Sequence, residues 1–197
     1  MCNLFDHYNN LSGNGQSRLL QAVRNAILNV YPRSDVRADG QVIKIAFSDG
    51  MRFEIVPTFK SIYGGYKYPN TNCGGKWEST NPKAEQEAMA EKNRSSNGLL
   101  YDTCRHIRYI RDNYFSSYHL SGIVIDSFVY EAIGNWRWLN SGESSSSPSG
   151  TYEQVLLNYY NQHGICYGVS INAPGSNDTV STASSYECLG KVLRYMI

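Results

Sequence analysis

The chain has 197 residues and a formal net charge of +1. That is enough apolar sequence for one domain or a domain and a half, and too little charge to favour a nucleic acid or an anionic membrane. Any nucleotide chemistry must therefore come from a local site. No apolar run approaches the length of a membrane span, and the N-terminus lacks the basic and apolar regions of a signal peptide. The five cysteines are scattered, without zinc-ligand spacing, which predicts reduced thiols in a cytoplasm. Sixteen tyrosines suggest stacking or interface surfaces as well as core.

Residues 1–16 are polar and Asn/Gly-rich and read as a loop. From Ser17, as N-cap, the apolar positions Leu19, Leu20, Val23, Ile27 and Val30 keep a helical period until Pro32 stops it. The period then falls to two. A short strand around Asp35–Ala38, the Asp39-Gly40 turn, a strand over Val42–Phe47, the Asp49-Gly50 turn and a strand over Met51–Val56 predict a small antiparallel meander. A Gly-, Pro- and aromatic-rich loop is expected from Thr58 to about Pro82, and long loops within domains are typically functional. Helices are predicted over Lys83–Asn93, Leu99–Tyr114, Ile123–Leu139, Thr151–His163 and Thr182–Met196. The Ser/Gly/Pro-rich segment 141–150 reads as a surface loop, and the turn around Pro174-Gly175-Ser176 as structural.

Two stretches are distinctive. One runs from Arg37-Ala38-Asp39-Gly40 through Asp49-Gly50-Met51-Arg52-Phe53-Glu54-Ile55-Val56-Pro57-Thr58-Phe59. The other runs from Tyr68-Pro69-Asn70-Thr71-Asn72-Cys73-Gly74-Gly75-Lys76-Trp77 to Asn81-Pro82-Lys83-Ala84-Glu85. With Asn14-Gly15-Gln16-Ser17, they resemble the bacterial SMODS nucleotidyltransferases, or CD-NTases, relatives of cGAS and oligoadenylate synthetase on the polymerase-β fold. The resemblance covers essentially the whole chain. It implies an α+β fold: a remnant polymerase-β-type nucleotidyltransferase sheet in residues 1–82, followed by a helical C-terminal lobe in residues 83–197. It implies magnesium as cofactor, ATP or another NTP as substrate, and cyclic di- or trinucleotide products that signal in antiphage (CBASS) defence.

Nucleotidyl transfer uses two metal ions, about 3.5–4 Å apart, to hold the attacking and leaving oxygens. In the family three carboxylates hold them, two on an Asp-x-Asp strand after a Gly-Ser turn and the third in a Phe-x-x-Val-Pro-type motif. Here that third position is Glu54, which alternation places opposite Phe53 and Ile55. By periodicity alone it is a solvent-facing glutamate; the motif makes it a catalytic metal ligand. No Gly-Ser turn followed by Asp-x-Asp occurs in residues 1–33. The chain is thus expected to be the C-terminal portion of such an enzyme, starting downstream of that segment and inactive by itself, its meander left with an exposed apolar edge.

Arg105, Arg108 and Arg111 recur at helical spacing and could turn charge toward a triphosphate, Arg105 and Arg108 foremost; a solvated basic face explains them equally well. Lys76 and Trp77 could meet a nucleotide through charge and stacking, while Trp77 serves equally as a loop anchor. No stable DNA or RNA partner and no membrane is expected. Three readings follow, in order: an incomplete copy of a synthase, a split or degenerate nucleotide-binding protein whose other chain supplies the aspartates, and a helical interaction protein that kept the scaffold.

Overall fold

The structure is a computed structural model and describes residues 4–145 and 150–197. Cys2 and Ser146–Ser149 of the low-complexity segment lie outside the described residues. The chain divides into two compact units, Met1–Asn81 and Pro82–Ile197. No helix among the described residues is long and apolar enough to cross a membrane.

The first unit is a helix laid on a meander. Helix α1 spans Leu4–Asn9 and α2 Gly15–Val30, followed by strands β1 (Asp35–Asp39), β2 (Val42–Ala46) and β3 (Arg52–Ile55) in the antiparallel order β1-β2-β3. Alternation puts Val36, Ile43 and Ile45 on one face, where they bury Leu20 of α2 with Val23 and Ile27 beside it. The opposite face carries the cross-strand row Arg37, Lys44 and Glu54. The cap of α2 is Asn14, not Ser17: the Asn14 Oδ1 accepts the Ser17 N–H at 2.9 Å, so Ser17 is the residue being capped.

Two other elements differ from expectation. Helix α1 forms where a loop is predicted. At six residues it is too short to hold itself, and packing holds it instead: Phe5 lies against Phe59 and Trp77, with ring centroids 5.5 and 5.0 Å away. The long loop is a second antiparallel sheet, β4 (Phe59–Lys60), β5 (Tyr66–Asn70) and β6 (Lys76–Thr80), in the order β4-β5-β6. Pro69 lies within β5. The structure accommodates it because β4 pairs only with Tyr66 and Lys67, so Pro69 lies where no third strand needs its missing N–H.

The turn between β5 and β6 closes onto the start of α2. Gly75, at φ 90°, approaches so closely that a Cβ would lie 2.5 Å from Asn14 Oδ1 and 2.6 Å from Gln16 Oε1. The Asn14 side chain also donates to the Thr71 carbonyl at 3.0 Å, and Thr71 donates twice to the Gly40 carbonyl, from its amide and its hydroxyl, at 2.9 Å each. Helix start, β1–β2 turn and β5–β6 turn form one clasp.

The second unit is helical: α3 (Pro82–Ser95), α4 (Leu99–Tyr114), α5 (Gly122–Ala132), α6 (Tyr152–Gln162) and α7 (Tyr186–Tyr195), with a two-residue ribbon of β7 (Ile171–Asn172) and β8 (Thr179–Val180). Leu100 and Ile107 of α4, Ile125 and Phe128 of α5, Leu156 of α6 and Leu189 and Leu193 of α7 share one buried cluster. Helix α5 ends at Ala132 although apolar periodicity runs on to Leu139. Gly134 takes a left-handed φ of 54°, and its carbonyl is held by Lys92 Nζ at 2.8 Å. Helix α7 starts at Tyr186, after a turn in which the Thr182 carbonyl accepts the Ser185 and Tyr186 amides at 2.8 Å each.

Gly75→Ala is expected to destabilise the first unit by roughly 1–3 kcal/mol through overpacking. Gly74→Ala is the control: it shares the positive φ, 88°, but a Cβ there meets nothing within 4 Å. Urea denaturation of the two variants checks this; equal losses would show that the clasp does not exclude a methyl group.

Candidate functional site

Glu54 stands on the polar face of β3, with Lys44 directly opposite in the ladder. Lys44 is engaged by Asp39, with Nζ 2.6 Å from Oδ2, and that hydrogen bond, more than the charges of Asp39 and Glu54, raises its pKa. Arg37 is likewise paired with Asp35 at 2.8 Å. Asp35, Arg37, Lys44 and Glu54 border an open cleft of about 380 Å³ together with Arg52. A carboxylate on such a face can take a hard cation by its oxygens. Among the described residues, however, no group of three or more His, Cys, Asp or Glu side chains is placed to hold a metal ion. Glu54 offers one ligand, and the residues present do not by themselves fit a two-metal site.

Lys76 and Trp77 belong to the β5–β6 hairpin. Lys76 is 64% exposed and its Nζ lies 2.7 Å from Glu78 Oε1. Trp77 packs between Phe5 and Phe59, and its buried indole nitrogen has no hydrogen-bond partner among the described residues. Glu78, not singled out from sequence, is the centre of this region: it also accepts from the Tyr68 hydroxyl at 2.7 Å, the Asn70 amide at 2.9 Å and the Gln41 amide at 3.2 Å. The Lys76 and Tyr68 bonds bring its pKa down to about 2 despite partial burial. Lys76, Glu78 and Tyr68 all sit at alternate or paired strand positions, a signal invisible until the hairpin register is known.

Arg105 and Arg108 lie one turn apart on α4 beside a cavity of about 420 Å³ within the second unit. Arg105 is exposed and paired with Asp102, whose carboxylate also accepts the Trp138 indole N–H at 2.9 Å. Those two bonds, Trp138 first, lower the Asp102 pKa. Arg108 is half-buried. Its Nη2 lies 2.8 Å from both Asp126 oxygens and 3.3 Å from the Gly122 carbonyl, and its Nη1 reaches the Cys104 carbonyl at 3.3 Å. Burial opposes charge on Arg108, but Asp126 outweighs it and the pKa rises. Burial, then the Asp126 charge, pushes the Cys104 thiol up to about 12, so it is an inert wall. Arg111 turns aside to the Leu120 carbonyl and Asp112. Asp126 was the legible clue missed in the sequence: a carboxylate set among the apolar residues Val124, Ile125 and Phe128 needs a partner.

The Pro174-Gly175-Ser176 turn packs on α3. A Cβ on Gly175 would fall 2.5 Å from the Ala84 carbonyl, and Ser176 Oγ donates to Glu85 at 3.1 Å. Pro174 thereby closes one side of the cavity.

Residues 3–93, which include Glu54 and the whole clasp, match the Second Messenger Oligonucleotide or Dinucleotide Synthetase domain, SMODS. A probable cyclic nucleotide synthase of Bacillus cereus (strain VD146) is 25% identical over 195 residues, covering 88% of this chain. The chain is thus similar to the CD-NTases. It spans 58% of the length of that curated relative. The fold agrees. A CdnE cyclic dinucleotide synthase of Elizabethkingia meningoseptica, solved with GTP and Apcpp, superposes with a TM-score of 0.58 over 92% of this chain and 69% of its own, at 16% identity. A STING-associated CdnE c-di-GMP synthase from Capnocytophaga granulosa gives 0.56 over 96% of this chain and 62% of its own, at 15% identity. The small antiparallel sheets and packed helices are thus similar in fold to the CD-NTase nucleotidyltransferases.

The Glu78 network has a pH signature. Its folded pKa of about 2 lies below the ordinary value of 4.5, so its contribution to stability is complete above about pH 4.5 and is lost as pH falls toward 2. Thermal melts between pH 7 and 2.5 are expected to show Glu78→Gln less stable than the parent at pH 7, with the gap closing as acid is added. A gap constant with pH would contradict this.

Proposed function

We propose that this chain is part of a nucleotidyltransferase that joins NTPs, ATP or GTP among them, into cyclic di- or trinucleotides. The carrying observation is Glu54. It occupies the acidic position of Phe53-Glu54-Ile55-Val56-Pro57 and points to the polar face of β3, while the sheet's other face is packed on α2. In this reading Glu54 is one of three carboxylates for magnesium, Arg105 and Arg108 border the nucleotide pocket, and Lys76 and Trp77 act from the β5–β6 hairpin. The Elizabethkingia meningoseptica CdnE, solved with GTP and Apcpp, supports an NTP substrate.

The other two carboxylates come from chain outside these 197 residues or from a partner chain, since no Asp-x-Asp after a Gly-Ser turn occurs here. The edge of β3 supports where they arrive. It is the last strand of its sheet, and Phe53, Ile55 and Val56 beside it are 51, 38 and 43% exposed. Such an edge calls for another strand. Carboxylates at i and i+2 of a strand paired there share a face, so an Asp-x-Asp strand would bring both beside Glu54. When bound, magnesium supplies charge stabilisation at the reacting phosphate. Without that strand the 197 residues turn nothing over. A role in antiphage defence follows from the family alone; a cytoplasmic setting fits the free thiols of Cys73, Cys104, Cys166 and Cys188.

A second reading, a split or degenerate nucleotide-binding protein without turnover, is favoured by the ion pairs that already occupy Arg105 and Arg108. Radiolabelled NTPs and magnesium distinguish the two. The chain extended with a relative's Gly-Ser and Asp-x-Asp strands is expected to make cyclic product, the chain alone none, and Glu54→Ala in the extended protein none. Product from the chain alone would place the metal ligands elsewhere. Silence from both forms would favour the degenerate reading.

A further inference from the structure

The α3–α4–α5 cavity differs in kind from a phosphate clamp. Its two arginines are compensated, Arg105 by Asp102 and Arg108 by Asp126, and Glu85 on α3 adds a further carboxylate. Counting Glu85, Asp102 and Asp126 against Arg105 and Arg108 leaves a formal charge of −1 around the space. A triphosphate entering it meets carboxylates whose cationic partners are already engaged. A neutral planar ring meets something better, because Met89, Ile123 and Pro174 offer apolar surface, Tyr101 an aromatic face, and Glu85 and Gln86 a polar edge.

The polar edge also has a sense. Ser176 Oγ occupies Glu85 Oε1, and among the described residues no hydrogen bond reaches the second oxygen, Oε2. The helical spacing of Pro82, Glu85, Gln86 and Met89 turns one face of α3 into the cavity. The Pro174-Gly175-Ser176 turn fixes that face, since Gly175 is pressed onto the α3 backbone and the Ser176 bond holds the Glu85 carboxylate.

We infer that this cavity binds a nucleobase by its ring, with Glu85 accepting from a guanine-type edge, so that the helical lobe prefers guanine over adenine. This rests on the nucleotidyltransferase reading and names the base that site takes. Guanine presents N1–H and N2–H donors side by side, both within reach of the open Oε2, and its O6 can accept from the Gln86 amide. Adenine sets a ring-nitrogen acceptor beside its one amino donor, so the same edge offers the carboxylate one donor where guanine offers two. Arg108 is a positioning residue here: its bond to Asp126 ties α4 to α5 across the cavity floor.

Titration calorimetry of the full chain with GMP, AMP and guanosine, without metal, tests this. GMP is expected to bind about tenfold more tightly than AMP, the scale of one well-made base contact. Guanosine should bind within a few-fold of GMP, because the phosphate is not the group being held. Glu85→Gln, nearly isosteric, should abolish the preference while leaving the melting curve in place. Tyr101→Ala should weaken GMP and AMP alike by loss of the aromatic face. Equal binding of GMP and AMP, or a preference that survives Glu85→Gln, overturns the inference. Magnesium-dependent turnover by the extended protein, sensitive to Glu54→Ala, would still stand in that case and keep the broader reading. Absence of binding by all three ligands overturns the inference, and absence of turnover as well overturns both.

Discussion

The contact on which the first unit depends is the approach of Gly75 to Asn14 and Gln16 at the start of α2. It leaves no room for a side chain. Asn14 serves two elements at once, capping α2 through Oδ1 and holding the β5–β6 turn through its amide. Thr71 extends the hold to the β1–β2 turn at Gly40, and Gln41 in that turn reaches Glu78 in the hairpin. Both faces of the domain follow. With α2 pinned at its start, its apolar stripe can meet only Val36, Ile43 and Ile45, and the alternate residues of the sheet, Glu54 among them, must face solvent.

The clasp also explains why two sequence stretches far apart carry the family likeness. Asn14-Gly15-Gln16-Ser17 and the Tyr68–Trp77 segment are the two sides of one contact. Gly15 is as constrained as Gly75, since a Cβ there would sit 1.9 Å from the Tyr8 carbonyl. Much of what carries the family likeness in the chain is therefore scaffold chemistry, and the glutamate proposed as a metal ligand stands on the sheet that this scaffold fixes. The second unit adds a cavity whose charges are nearly balanced by internal ion pairs, a setting suited to a ring more than to phosphates.

Legibility in the sequence followed periodicity. The three-strand meander and the helices α2, α4 and α6 were readable because their apolar positions repeat at two or at 3.6. The alternation that set Glu54 opposite Phe53 and Ile55 holds in the ladder register. The β4–β5–β6 sheet was not readable. Its glycines and Pro69 look like punctuation, and its strands are held by a polar hub at Glu78 in place of an apolar stripe. Helix α1 was hidden for a similar reason, being formed by aromatic packing of Phe5 and not by local pattern. At the cavity, arginine spacing drew attention to α4, where Asp102 balances Arg105 from within the same helix, but Arg108 is balanced by Asp126 of α5, and pairing across helices cannot be read from one helix alone.

The central claim is that the free edge of β3 receives a carboxylate-bearing strand beside Glu54. Hydrogen exchange of the Arg52–Ile55 amides, measured on the chain alone and on the chain extended with a relative's Asp-x-Asp strands, tests it most directly. The account requires the edge-facing amides to exchange rapidly in the chain alone and to become protected in the extended protein. Protection already present in the chain alone, or exchange unchanged by the extension, would contradict it.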